Sequence, residues 1–170
     1  ALPICEPLLQ IDFIVEFLSA LKKEKISTAV DTCGQIPWSS FERIIPFTDM
    51  FLFDFKHADS AKHKELTGCG NELIKSNLIR LSESGKNIEI RMPVIPSLNS
   101  SDDTIHAAGS FLKELKNIKT VRLLPYHAFA SSKYQALDRN NMLADIQSPD
   151  SDFLAHLAEI LLHHKLSAVY

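Results

Sequence analysis

The chain has 170 residues, of which 45% are hydrophobic and 23% are charged, a composition typical of a globular protein with one core and one domain, residues 1–170. A formal net charge of −3 gives no general attraction to nucleic acid or anionic lipid, and no apolar run is long enough to span a membrane. The first residues show no secretion signal, so we expect a cytoplasmic protein without nucleic-acid or membrane partners.

The spacing of apolar residues predicts helices that alternate with strands. Residues 11–25 repeat apolar side chains at helical spacing and gather basic residues in the last turn. The strands are marked by β-branched or aromatic runs that end near glycine or proline. The predicted helices span residues 11–25, 37–46, 71–85, 101–116 and 151–165. The predicted strands span residues 27–34, 50–55, 88–96, 120–127 and 166–170.

The order of these elements predicts an α/β fold. Strands that alternate with helices at this spacing form right-handed βαβ units and a parallel sheet, either open or curved into a barrel. In such folds, ligands bind at the carboxyl ends of the strands. A polar segment at residues 128–149 is too long for a simple connection, so it predicts a functional loop or a lid.

Polar and ionisable residues lie at the carboxyl ends of four predicted strands, and therefore at one edge of the predicted sheet. They are Asp31 and Thr32, Asp54 and Lys56, Arg91, and His127. Because scattered surface charge has no reason to choose this position four times, the pattern indicates a shared site.

The alternation of side chains along a strand places Asp54 and Lys56 on one face, opposite Phe51, Phe53 and Phe55. The aromatic face should pack on helices. The charged face then needs a ligand or counter-charges, because an unpaired charge in a protein interior is costly. We hypothesise that Asp54 and Lys56 hold a zwitterionic or anionic small molecule, together with a cation.

Each of these residues also has a purely structural interpretation. Asp54 and Lys56 can form a salt bridge that has no further role. Arg91 can pair with a neighbouring carboxylate, and His127 can be a packed loop histidine. The residues alone leave these alternatives open.

Five motifs occur in an order and spacing that resemble the glycyl radical enzyme activating enzymes, of which the pyruvate formate-lyase activating enzyme is one. The motifs are EPLLQ at 6–10, DTCG at 31–34, FDFK at 53–56, IRMPVIP at 90–96 and LLPYH at 123–127. The resemblance covers nearly the whole chain.

The resemblance implies a radical S-adenosylmethionine (SAM) enzyme with a partial (β/α)6 barrel and a curved parallel sheet. In the family, a [4Fe–4S] cluster on a CxxxCxxC loop cleaves SAM, and the resulting radical takes hydrogen from a glycine of the partner glycyl radical enzyme. An electron donor such as flavodoxin or ferredoxin reduces the cluster. The implied activity is that of an oxidoreductase.

The resemblance also implies roles for individual residues. The SAM-binding residues carried over from the family are Glu6, Asp31, Asp54, Phe55, Lys56 and His127. Asp31, Thr32 and Asp54 correspond to a cation site, and Arg91 corresponds to the family's arginine near the substrate peptide, which is the glycine loop of the partner.

The cysteine pattern departs from the family. The CxxxCxxC motif is absent, and Cys5, Cys33 and Cys69 are too far apart to replace it, which fits free thiols better than a disulfide or metal site. We therefore expect the C-terminal part of a radical SAM barrel, which positions SAM and peptide, contains no catalytic residue or cluster ligand, and is inactive alone. The alternatives are a non-catalytic docking module and a barrel aldolase in which Lys56 forms a Schiff base.

Overall fold

The structure is a computed structural model that describes residues 6–127 and 146–170. Most of the segment 128–149, predicted as a loop or lid, lies outside these residues. The strands are β1 Ala29–Thr32, β2 Met50–Asp54, β3 Asn87–Val94, β4 Ile118–Pro125 and β5 Ala168–Val169. The helices are α1 Ile11–Lys23, α2 Trp38–Ile44, α3 Ser60–Thr67, α4 Glu72–Glu83, α5 Asp102–Leu112 and α6 Ser151–His163, with 3-10 turns at Pro7–Gln10 and Ile45–Phe47.

The five strands form one parallel sheet in the order β1-β2-β3-β4-β5. Within the described residues the sheet is not closed, because β1 and β5 each pair on one side. The predicted α/β class with a parallel sheet is therefore confirmed. None of the helices in the described ranges is long and apolar enough to cross a membrane.

Local capping explains where several helices begin. The Ser101 hydroxyl accepts a hydrogen bond from the Thr104 amide at 3.3 Å, and two aspartates occupy the first turn of α5. The Asp150 carboxylate caps α6 by accepting from the Phe153 amide at 2.8 Å. These contacts lie within three residues, so the sequence contains the information for them.

Helix α3 was not predicted from the sequence. It is mostly polar, and among its side chains only that of His63 is buried, so it lacks an apolar stripe. Its ends are nevertheless well defined. The Asp59 carboxylate accepts from the Lys62 amide at 2.8 Å, and Gly68 ends the helix with a φ of 88°. Asp59 and Gly68 are the signals that could have revealed the helix.

One face of the sheet forms the core. Phe51, Phe53 and Phe55 are at most 1% exposed, which confirms the predicted aromatic face. The Phe51 ring lies 6.2 Å from that of Phe41 in α2, and the Phe55 ring stacks on that of Phe111 in α5 at 5.5 Å. Burying each phenylalanine contributes roughly 1.5–3 kcal/mol.

The other face carries the charges, and we call it the open face. Alternation along the strands and the register between them put its residues side by side. Its residues include Asp31, Leu52, Asp54, Glu89, Arg91 and Arg122.

Candidate ligand-binding site

The ends of β1 and β2 and the middle of β3 bring three of the predicted site residues together on the open face. Asp54 of β2 is in register with Arg91 of β3. The Arg91 guanidinium reaches past β2 to Asp31 of β1, with 2.6 Å between Nη1 and Oδ2. The Asp31 side chain is 51% exposed and that of Arg91 is 28% exposed, so the pair is only partly exposed to solvent.

Lys56 and Asp54 form the salt bridge foreseen as the structural alternative. Lys56 Nζ lies 2.8 Å from Asp54 Oδ2, and the two side chains are 33% and 31% exposed. The partial exposure leaves both groups accessible to a ligand. For the Schiff-base alternative, Lys56 would have to leave this contact to attack a carbonyl.

Glu89 and Arg122 complete the charged network, and neither was among the predicted site residues. The Glu89 carboxylate accepts from Arg122 Nε at 2.8 Å and Nη2 at 3.0 Å. Its Oε1 also lies 3.8 Å from Arg91 Nε, a buried atom for which no hydrogen bond is found among the described residues. The hydrogen bond from Arg122 is the main reason that the pKa of Glu89 is lowered. The alternation in IEIRM was the available signal, since it puts Glu89 on the face of Arg91.

Glu6 lies beside the carboxyl end of β1, and its carboxylate already accepts hydrogen bonds from other groups of the protein. It accepts from the Thr32 hydroxyl, 2.9 Å from each oxygen, and from the Cys33 amide at 2.8 Å. Thr32 is 1% exposed, and its hydroxyl also accepts from the Gly34 amide at 3.1 Å. The hydroxyl of Thr32 is therefore on the buried side of β1 and does not join Asp31 on the open face.

The two remaining predicted residues, Phe55 and His127, lie in different surroundings, one buried and the other exposed. The Phe55 ring is 1% exposed and lies in the core, so its side chain does not face the open side, and its amide donates to the Arg91 carbonyl at 2.8 Å. His127 is exposed after β4, with Nδ1 3.2 Å from the Ser148 hydroxyl. The amide of Tyr126 binds the Val94 carbonyl at 3.0 Å, which keeps this segment beside the end of β3.

Negative charge accumulates around Asp31. Burial is the largest cause that raises the pKa of Asp31; the Asp54 and Glu6 charges act in the same direction and Arg91 opposes them. Asp31 and Glu6 also line a cleft of about 470 Å³ between α1 and β1. This electrostatic environment favours a positively charged group near Asp31.

The motif DTCG needs its glycine. Gly34 has a φ of 74°, and a Cβ at this position would lie 2.3 Å from Cζ of the Phe53 ring. The buried Asn77 of α4 donates to the Gly34 carbonyl at 2.9 Å and to that of Ile36 at 2.7 Å. These contacts fix the loop that follows β1.

The described cysteines do not form a metal site. Cys33 and Cys69 are free thiols, and Cys5 lies outside the described residues. Burial is the main cause that raises the pKa of Cys33 to about 11, so its thiol is protonated at neutral pH. Among residues 6–127 and 146–170, no group of three or more histidine, cysteine, aspartate or glutamate side chains is placed to hold a metal ion.

The chain is similar to known activating enzymes. It is 41% identical over 135 residues to the choline trimethylamine-lyase activating enzyme of Oleidesulfovibrio alaskensis, an alignment that covers 78% of this chain and 44% of that protein. The chain spans about half the length of the curated relatives it matches. No family model matches it.

The fold is also found in solved structures. A domain of the pyruvate formate-lyase activating enzyme from Bacteroides vulgatus superposes with a TM-score of 0.81 and 27% identity, covering 96% of this chain and 92% of that one. A radical SAM methyltransferase from Sphaerobacter thermophilus shares the fold alone, with a TM-score of 0.73 and 18% identity, covering 96% of this chain and 47% of that one. The resemblance found in the sequence is thereby confirmed: this chain is a relative of the glycyl radical enzyme activating enzymes and carries part of a radical SAM partial-barrel fold.

Proposed function

We propose that this chain is the SAM-positioning and peptide-positioning part of an enzyme that activates a glycyl radical enzyme. The observation that carries the proposal is the grouping of Asp31, Asp54 and Lys56 at the carboxyl ends of β1 and β2, which puts carboxylates and an ammonium beside one another on the open face. The similarity to activating enzymes supports this reaction class.

These charges fit the amino acid end of SAM, which carries an ammonium and a carboxylate. The carboxylates of Asp31 and Asp54 are suited to the ammonium, and to a nearby cation as the resemblance implies. Lys56 is suited to the carboxylate, although a ligand must compete with Asp54 for it. Such ionic contacts orient a cofactor, and small displacements of its reactive end are costly. Glu6 would act indirectly, since its carboxylate holds Thr32 and Cys33.

The described residues do not fit a [4Fe–4S] cluster. Such a cluster needs cysteine thiolates, whereas Cys33 is held as a thiol and no suitable group is found in the described part of the chain. In this proposal the cluster, and a flavodoxin-like or ferredoxin-like electron donor, belong to the complete enzyme. The chain by itself then binds SAM but produces no radical.

Arg91 is proposed to contact the glycine loop peptide of the partner. Its guanidinium is held by Asp31 at 2.6 Å and lies near Glu89, so its orientation on the open face is fixed. A guanidinium has five N–H donors, and those not used by Asp31 suit the carbonyl groups of an extended peptide.

We also propose a cytoplasmic location and a single domain at residues 1–170. The single domain is supported by the solved activating-enzyme domain, which has a similar extent.

Calorimetric titration of SAM into the chain tests this function. We expect binding that weakens at least tenfold in Lys56→Met, because the contact with the SAM carboxylate is lost, and also weakens in Asp54→Asn. The matched control is Lys62→Met, which removes an exposed ammonium, also 2.8 Å from a carboxylate, on α3. No heat with wild-type protein, or equal weakening by Lys62→Met, contradicts the proposal. Binding of a glycine loop peptide without SAM binding indicates the docking module instead.

A further inference from the structure

We propose that Asn99 is a positioning residue that holds the backbone of Lys56 in place for SAM binding. The inference rests on the proposed function. Asn99 lies between β3 and α5 and is 5% exposed. Its Nδ2 donates to the Lys56 carbonyl at 3.2 Å and to the Pro93 carbonyl at 2.7 Å, and its Oδ1 accepts from the Ile95 amide at 2.8 Å. One buried amide therefore connects the ends of two strands.

This connection begins where the direct pairing of β2 and β3 ends. Their register extends to Asp54 and Arg91, and the Phe55 amide then donates to the Arg91 carbonyl at 2.8 Å. Lys56 follows directly, and its carbonyl is held by Asn99, 43 residues away in the sequence. Asn99 thus extends the link between the two segments beyond the β-ladder. Since a lysine side chain is long and flexible, the backbone from which it projects decides where its ammonium is found most often.

A side-chain amide can make these three contacts, because its nitrogen carries two N–H donors and its oxygen accepts. The aspartate introduced by Asn99→Asp has the same shape as the asparagine side chain. The aspartate keeps an acceptor for the Ile95 amide, but it faces the Lys56 and Pro93 carbonyls with an oxygen that donates no hydrogen. The two contacts become repulsive, and the segment that carries Lys56 should move.

A double-mutant cycle with SAM titration of the full chain tests whether Asn99 acts through Lys56. The variants are Asn99→Asp, Lys56→Met and the double substitution. We expect Asn99→Asp to weaken SAM binding about tenfold in the wild-type background and less than about twofold in the Lys56→Met background. A merely structural role predicts the same factor in both. If Asn99→Asp does not fold, as judged by urea unfolding, Asn99→Ala replaces it, because alanine adds no buried charge.

Asn117→Ala is the control for general loss of stability. The Asn117 Nδ2 donates to the Ser82 carbonyl at 2.9 Å before the first residue of β4, at the opposite end of the sheet. Its φ of 59° adds strain for alanine, so this variant should be less stable yet bind SAM normally. Two results overturn only the role of Asn99 and leave the proposed function standing. In the first, Lys56→Met weakens SAM binding but Asn99→Asp does not. In the second, Asn99→Asp weakens SAM binding by the same factor in both backgrounds. Absence of SAM binding in wild-type protein overturns the proposed function as well.

Discussion

Replacing Glu89 with glutamine tests whether its carboxylate stabilises the charged open face. The substitution keeps the shape of the side chain but removes its charge. Glu89 is only 8% exposed, and both of its oxygens accept from Arg122. Without the charge, Arg122 and Arg91 face each other on neighbouring strands with their shared counter-charge removed.

The expected loss is about 2 kcal/mol in the free energy of unfolding at pH 7. Removing one partner of a buried ion pair costs about 3–5 kcal/mol. The loss expected here is below that range, because the Arg122 side chain is 41% exposed and water can solvate it. For a chain of this size, that loss lowers Tm by about 4–8 °C.

The loss should depend on pH in a defined direction. Hydrogen bonding from Arg122, followed by the charges of Arg122 and Arg91, lowers the pKa of Glu89, although burial opposes them. A group whose pKa is lower in the folded state stabilises the protein above its unfolded-state pKa, about 4.3 for glutamate, and the contribution disappears as the pH falls through the folded-state pKa. The difference between wild type and Glu89→Gln is therefore largest near neutral pH and shrinks in acid.

Urea unfolding of both proteins between pH 7 and pH 3 measures this difference. Glu65→Gln is the control, because Glu65 forms an exposed pair with Lys62, with side chains 67% and 60% exposed, and should have no measurable effect. Equal stability of wild type and Glu89→Gln at pH 7 would refute the stabilising role. A difference that stays constant down to pH 3 would refute the electrostatic explanation.

Two further predictions concern the loop after β1. Gly34→Ala should lower the free energy of unfolding by about 3 kcal/mol, because it adds left-handed backbone strain and a collision with the Phe53 ring. Gly85→Ala should lower it by only the strain, about 1–2 kcal/mol. Gly85 has a φ of 77°, and no atom lies within 4 Å of the added Cβ. Urea unfolding checks this, and equal losses contradict the collision. Because the pKa of Cys33 is raised to about 11, its alkylation by iodoacetamide should keep accelerating with pH up to that value. Peptide mass spectrometry follows the reaction, with Cys69 as internal reference, and a rate that levels off below pH 9 contradicts the raised pKa.

The sequence predicted the helices and strands well because their signals are local. Five strands and five of the six helices in the described residues occur where periodicity placed them, with ends that differ by a few residues. Helix α3 was missed because it buries almost no apolar surface, so a pattern based on burial cannot detect it. Its caps at Asp59 and Gly68 show that end signals deserve the same weight as periodicity when a helix is polar.

The sequence also predicted that Asp31, Asp54 and Lys56 lie at the carboxyl ends of β1 and β2. Strand alternation correctly separated the aromatic face from the face of Asp54. Apart from the contact between Asp54 and Lys56, it gave no information on partners within that face. Arg91 meets Asp31, 60 residues away, by reaching past β2, and Glu89 meets Arg122, 33 residues away, on β4.

The sequence by itself therefore determined the α/β alternation, the two faces of the strands, and the edge at which the polar residues collect. The tertiary structure alone decided that Arg91 pairs with Asp31, that Arg122 pairs with Glu89, and that Asn99 donates to the Lys56 carbonyl. The reason is physical. Periodicity and caps depend on neighbours within a few residues, whereas these contacts depend on strand order, register and loop geometry, which only the packed sheet fixes.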